Sequence, residues 1–217
     1  MRTVHVLHGD PKVASRLRET IEAVPGLAVT GTACNLAQAR DALARDTPDL
    51  LVADLFLPDG RLRTLLAALR GNGRNDRPLV VVLSMSAEDA RLVDALRHGA
   101  DGYYAVGARP STTLADAIAQ VLVGESPMSP QIARAVKAHF DAVAPRSGSD
   151  WVAEAQSLLR LSEVDQQLLA WTAEGYVVDE IARSLQLTAH GVGVRMRHIY
   201  RKLQFDLRAN ALSLLAA

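Results

Sequence analysis

Residues 49–60 read DLLVADLFLPDG, and the order of chemistry within them decides the fold. Leu50 to Ala53 form an unbroken apolar run, too short for a helix and without polar alternation. Such a run reads as a strand covered on both faces. It ends on a single carboxylate, Asp54, and Pro58-Asp59-Gly60 then turns the chain away, leaving the face of that carboxylate open. Similar runs occur at 4–7, 27–32, 79–85 and 103–105, with helical patterns at 12–24, 36–45, 61–70, 87–98 and 112–123 between them. Val13, Leu17, Ile21 and Val24 form one stripe of the first helix. Successive β-α units predict a doubly wound parallel sheet with right-handed crossovers.

Composition sets the outer bounds. The chain has 217 residues, 49% hydrophobic and 22% charged, with zero formal net charge. That is a globular profile, and any nucleic-acid contact must come from a local basic patch. Cys34 is the only cysteine, which excludes a disulfide framework and a cysteine zinc site. The N-terminus carries no signal-peptide pattern and no apolar run reaches spanning length, so a cytoplasmic location without membrane contact is expected.

The texture changes after residue 123. Residues 124–150 hold Ser-Pro steps, one amphipathic helix (Ile132, Val136, Phe140) and a Pro-Ser-Gly stretch at 144–150. Residues 1–123 are therefore expected as one domain, 124–150 as a helical and flexible linker, and 151–217 as an all-helical domain. In that last part Gly175 is placed to end a helix and Thr188 to begin one. Trp151 and Trp171 lie on apolar helical faces and are expected in its core.

In a doubly wound sheet, ligands gather beyond the carboxyl ends of the strands. Those ends carry His8-Gly9-Asp10, Asp54, Ser84 and Tyr103. A carboxylate at Asp54 can serve as metal ligand, nucleophile or acceptor for loop amides. His5 and His8 point to opposite faces of one strand and cannot share an ion. His8, Asp54 and Ser84 lack the nucleophile elbow of a hydrolase, so no enzyme is expected. The Gly-x-Gly in RGNGRNDRP (70–78) reads as a polar turn, because no helix follows it.

The run D-L-F-L-P-D-G, the Ser in VVVLSMSAED and the following GADGYY together resemble the receiver domain of bacterial response regulators over the first 123 residues. The resemblance implies a flavodoxin-like five-stranded sheet in the order 2-1-3-4-5. It also implies Asp54 as acceptor of a phosphoryl group from a histidine kinase, Ser84 as the hydroxyl that bonds it, and Tyr103 as the switch aromatic. Receivers place two adjacent acids at the end of the first strand; here His8 and Gly9 stand there and Asp10 falls one place later. The expected lysine is Val106. Magnesium needs hard oxygen ligands, so this degenerate pocket is expected to bind it weakly or not at all, with no other cofactor and no metal site. His8 is instead expected to hydrogen-bond Asp54.

The C-terminal stretch from Leu161-Ser162 through Gly175, Glu180-Ile181-Ala182 and Ile199-Tyr200-Arg201-Lys202-Leu203 resembles the LuxR-type helix-turn-helix of NarL/FixJ response regulators. That implies a four-helix DNA-binding domain. Val192, Met196, Ile199 and Leu203 form one stripe, the expected buried side of the recognition helix; Gly193, Val194, Arg197 and Arg201 lie opposite, flanked by Arg195 and Lys202. Acids precede this helix, whereas 195–202 holds four Lys/Arg and no acid. Val194, Arg195, Arg197, Arg201 and Lys202 are the expected DNA contacts. Gly191 and Gly193 replace the family's usual Thr and Lys, each costing about 1 kcal/mol of helix propensity. The expectation is a homodimeric, DNA-binding transcriptional response regulator with little or no phosphorylation at Asp54. The alternative is a phosphorylation-independent protein-interaction or ligand-sensing module whose DNA domain has degraded.

Overall fold

The computed structural model describes residues 1–71, 77–86, 89–105, 113–142 and 160–215. The chain divides into two compact units, Met1–Gly124 and Glu125–Ala217. Val106, Trp151, the 144–150 stretch and most of the polar turn after Gly71 lie outside the described residues.

The first unit is a parallel sheet of β1 (Arg2–Leu7), β2 (Leu27–Ala33), β3 (Leu50–Asp54), β6 (Leu79–Ser84) and β7 (Gly102–Ala105) in the order β2-β1-β3-β6-β7. This is the expected 2-1-3-4-5 order once a small hairpin is set aside. Around the sheet lie α1 (Pro11–Glu22), α2 (Leu36–Arg45), α3 (Leu62–Gly71), α4 (Ala90–His98) and α5 (Leu114–Leu122). Val4, Val6, Leu50, Val52, Val81 and Leu83 alternate onto one sheet face, where Ala14 and Ile21 of α1 and Leu114, Ile118 and Val121 of α5 cover them. The intervening strand residues, such as Leu7, Leu51 and Val82, are also fully buried. Burial on both faces is what the unbroken Val/Leu runs required.

The hairpin, β4 (Phe56–Leu57) and β5 (Gly60–Arg61), is short and antiparallel. It has no periodic signal of its own. Asp59 at its turn accepts hydrogen bonds from the amides of Leu36 (2.8 Å) and Ala37 (3.0 Å), so it caps α2 from another part of the chain. These amide bonds hold its carboxyl below the usual range.

The second unit contains α6 (Pro130–Ala142), α7 (Glu163–Glu174), α8 (Val178–Ser184) and α9 (Ala189–Leu215). α6, expected within the linker, instead packs on α7, and Arg134 donates to the Ala173 carbonyl at 2.6 Å. Ile132, Ala133 and Val136 supply its buried face, which an isolated linker helix would leave in water. Ser162 caps α7 through the Asp165 amide, and Gly175 ends it with φ at 100°. Thr188 accepts from the Gly191 amide at 3.0 Å at the start of α9. Trp171 is half-buried beside Tyr176, with ring centroids 6.2 Å apart.

Candidate functional site

The carboxyl end of β3 presents Asp54, whose side chain is only 15% exposed. The expectation of an open face is therefore corrected: the hairpin that follows folds back over this end. An ideal Cβ on Gly9 would lie 3.1 Å from the Phe56 carbonyl oxygen and 3.4 Å from Pro58 Cδ. A carboxylate at that position would have to push against a carbonyl, which repels it.

His8 approaches Asp54 with Nε2 to Oδ2 at 3.5 Å. That is a close contact rather than the hydrogen bond expected from sequence, being too long for a good one. The other ring nitrogen, Nδ1, accepts the Asp10 amide at 3.0 Å. A neutral ring accepting at Nδ1 carries its proton on Nε2, so it turns its donor toward the carboxylate. Asp10 is occupied elsewhere: it is the N-cap of α1 and accepts the Lys12 amide at 2.8 Å.

A divalent ion here would find Asp54, an imidazole bonded to Asp10, no side chain at Gly9, and Asp10 committed to the helix. Among the described residues no group of three or more His, Cys, Asp and Glu is arranged to hold a metal. The donor set does not fit magnesium, which takes oxygen ligands in a near-octahedral shell.

The other two candidates at this end face inward. Ser84 is buried; its hydroxyl donates to the Ser86 carbonyl at 2.7 Å and accepts the Ser86 amide at 3.2 Å, closing its own loop. Tyr103 is buried, opposite Val82 in the sheet register. At the rim, Phe56 is half-exposed under the Arg91 guanidinium, 3.8 Å from its ring centroid, and Asp89 grips Arg91 with two bonds of 2.9 Å.

In the second unit the core stripe of α9 is as read: Val192, Met196, Ile199 and Leu203 are buried. The expected outer face, however, is divided. Arg197 is only 5% exposed, and Tyr200 and Gln204 are buried on the same side. Residues 125–127 contribute to the cover over Gly193, Arg197 and Tyr200. The Ser126 amide donates to the Gly193 carbonyl at 3.2 Å, Arg197 Nη1 to the Glu125 carbonyl at 3.4 Å, and the Tyr200 hydroxyl to the Pro127 carbonyl at 2.8 Å.

Arg197 is thus not presented for DNA in this arrangement. Arg195 and Lys202 are also engaged. Arg195 reaches Asp165 Oδ1 at 2.9 Å and Lys202 reaches Oδ2 at 3.5 Å; Lys202 further donates to the Arg160 carbonyl at 2.8 Å. Of the expected contacts, Arg201 is exposed and Val194 half-exposed, in line with His198 and Phe205. Sequence reading passed over Asp165 because its acidic neighbours disguise a buried carboxylate. Its position in the first turn of a capped helix was the available signal.

A receiver-type sheet with an aspartate at the tip of its central strand, together with a helix-turn-helix unit, defines the response-regulator class of transcription regulators. Residues 4–105 match the response regulator receiver domain and residues 159–215 match the bacterial regulatory proteins of the luxR family. The chain belongs to the two-component response regulators with a LuxR-type C-terminal domain. It is 27% identical to the nitrate/nitrite response regulator NarL of Escherichia coli K12, over 96% of this chain and 92% of NarL. It is 26% identical to the oxygen regulatory protein NreC of Staphylococcus carnosus, over 81% of this chain and 78% of NreC. The fold is similar to RcsB of Salmonella enterica serovar Typhimurium bound to the rprA promoter with beryllofluoride. There the TM-score is 0.53 at 22% identity, covering 94% of this chain and 92% of RcsB. Among the described residues no helix is long and apolar enough to cross a membrane.

Proposed function

We propose that this protein binds promoter DNA as a homodimer through α9, and that its receiver does so without the magnesium-dependent phosphoryl switch. The observation that carries the second part is the seat of Gly9 beneath the Phe56 carbonyl. The position of the second metal-binding acid has no carboxylate, and a side chain there would need the Phe56 carbonyl, 3.1 Å from an ideal Cβ, to give by a few tenths of an ångström. Phosphoryl transfer relies on cations to offset the charge that develops on the transferred group. Here Asp54 faces, at 3.5 Å, a histidine held by the Asp10 amide. Ser84, the hydroxyl that would meet the phosphoryl group, is turned onto its own loop. A cognate histidine kinase would therefore find a poor acceptor in Asp54.

The DNA reading is supported by the luxR-family match and by fold similarity to RcsB, solved as dimers bound to DNA. Paired subunits reading paired half-sites is the usual arrangement for helix-turn-helix proteins. A second reading, a protein-interaction or ligand-sensing module with a degraded DNA domain, is favoured by the engagement of Arg195 and Lys202 with Asp165. Fluorescence anisotropy against a mixed promoter pool across a salt series separates the two. The first reading expects salt-dependent binding, unchanged when acetyl phosphate and magnesium are added. No binding at low salt supports the second reading, and a large gain on adding acetyl phosphate refutes phosphate independence.

A further inference from the structure

We infer that the cleft at the amino ends of β1, β3 and β6 binds a small organic carboxylate, with a guanidinium taking its acid group and an apolar floor taking its body. These three strands are neighbours in the sheet, and the cleft lies at the end away from Asp54. Its space is about 350 Å³, at the lower end of the range for sites that hold a small molecule. Arg2 opens β1, Asp49 precedes β3, Arg77 and Leu79 lead into β6, and Leu122 closes α5; all of them line the cleft.

The walls are fastened before any ligand arrives. Asp49 Oδ2 accepts the Thr3 amide at 2.8 Å and the Thr3 hydroxyl at 2.9 Å, and Oδ1 accepts Arg2 Nη1 at 2.7 Å. The Leu79 amide donates to the Asp49 carbonyl at 3.0 Å, which ties the entries of β3 and β6 together. Pro48 is buried, and its ring fixes the turn into β3. Behind Arg77, Asp101 is only 3% exposed and accepts the Val80 amide at 2.9 Å. Leu79 and Leu122 pack against the core on one side and stay half-buried. With Pro48 they make the apolar floor.

Covalent geometry decides which donors are left for a ligand. Arg77 Nη1 donates to Asp101 Oδ2 at 2.8 Å and to the Pro78 carbonyl at 3.0 Å, and Nη2 donates to Asp101 Oδ1 at 2.8 Å. The Nε hydrogen and the second Nη2 hydrogen remain. They lie parallel on the side edge of the planar guanidinium, the fork that matches the two oxygens of a carboxylate. Three bonds already hold that fork in place, so little side-chain freedom is lost when it binds. Arg2 commits only Nη1 to Asp49 and keeps the same edge, but its side chain is 61% exposed and serves the rim. Charge narrows the class of ligand. Asp49 and Asp101 balance the two arginines, so no excess of positive charge repays the desolvation of a polyanion. The floor favours a hydrocarbon body over a bare ion.

The test uses the full chain and two readouts, calorimetric titration and the arginine Nε–H signals in proton–nitrogen NMR. The probes are hexanoate, benzoate, hexanamide and inorganic phosphate at one ionic strength. We expect at least one of the two acids to bind saturably at a single site and to shift the Arg77 Nε–H signal, with hexanamide at least about tenfold weaker. Arg77→Lys keeps a cation for Asp101 but has no fork, and should weaken acid binding at least about tenfold. Arg2→Lys should weaken it less, and a larger loss there overturns the assignment to Arg77. Hexanamide binding as tightly as the acids overturns the carboxylate assignment. Phosphate binding as tightly as the acids overturns the role of the floor. No saturable shift with either acid up to about 10 mM overturns the site itself. If Arg77→Lys unfolds, the wild-type Nε–H shift and the comparison with hexanamide decide alone.

Discussion

Asp165→Asn should destabilise the second unit selectively, and its magnitude follows from the structure. The Asp165 side chain is 6% exposed and takes Arg195 at 2.9 Å and Lys202 at 3.5 Å, joining α7 to α9. The amide keeps the shape and one acceptor oxygen but loses the charge. A hydrogen bond to a charged group contributes about 1.5–3 kcal/mol. Both cations retain water, with side chains 35% and 27% exposed, which reduces that figure to about 1–2 kcal/mol. For a unit of this size the loss corresponds to a fall in Tm of roughly 5–15 °C. Asp165→Ala, which removes the acceptor as well, should cost about 2–3 kcal/mol. Both tryptophans, Trp151 and Trp171, lie in the C-terminal part of the chain. Tryptophan fluorescence in a urea titration therefore follows this half. A change below about 0.3 kcal/mol on Asp165→Asn, within the spread of ordinary surface substitutions, would refute the assignment of Asp165 as the electrostatic anchor.

Three further outcomes are expected. Burial, then the nearby Arg18, holds His5 below its ordinary pKa of 6.5 in the folded protein, so the unfolded chain takes up this proton first. The stability it permits is complete above about pH 6.5 and is lost as pH falls through the folded value. His5→Phe should flatten urea midpoints between pH 7 and pH 5, and an unchanged slope would contradict this. Asp49, Asp89 and Asp116, held below 3.8 mainly by hydrogen bonds, act only at lower pH. Arg201→Ala should reduce the salt slope of DNA binding by about one unit; an identical slope would place Arg201 off the DNA. Limited proteolysis should cut first within 144–150 and release a receiver fragment that still carries α6, and early cleavage within residues 1–105 would oppose the reading of residues 1–124 as one compact unit.

The fold was legible because its signal is local. Unbroken runs such as Leu50 to Ala53 need two covering layers, and the helical stripe of α1 supplies part of one. The aspartate at the tip of β3 was legible for the same reason. What escaped reading depends on contacts between distant segments. The residues that cover α9 lie 65 to 73 positions upstream of their partners, and helical periodicity carries no trace of a neighbour so remote. Gly193 therefore read as a propensity cost, and Arg197 as a free cation. Arg195 and Lys202 gave a true charge pattern, but their partner sits on α7. At the receiver pocket the missing carboxylate at Gly9 was visible in the sequence. The Phe56 carbonyl that crowds its place was not, because the short hairpin has no pattern of its own.

Intact-protein mass spectrometry after incubation with acetyl phosphate and magnesium tests the receiver account most directly, with Asp54→Ala as the control. The pocket of His8, Gly9 and Asp54 predicts a spectrum dominated by unmodified protein, indistinguishable from the control. Stoichiometric addition of one phosphoryl group to the wild type, absent from Asp54→Ala, would contradict it.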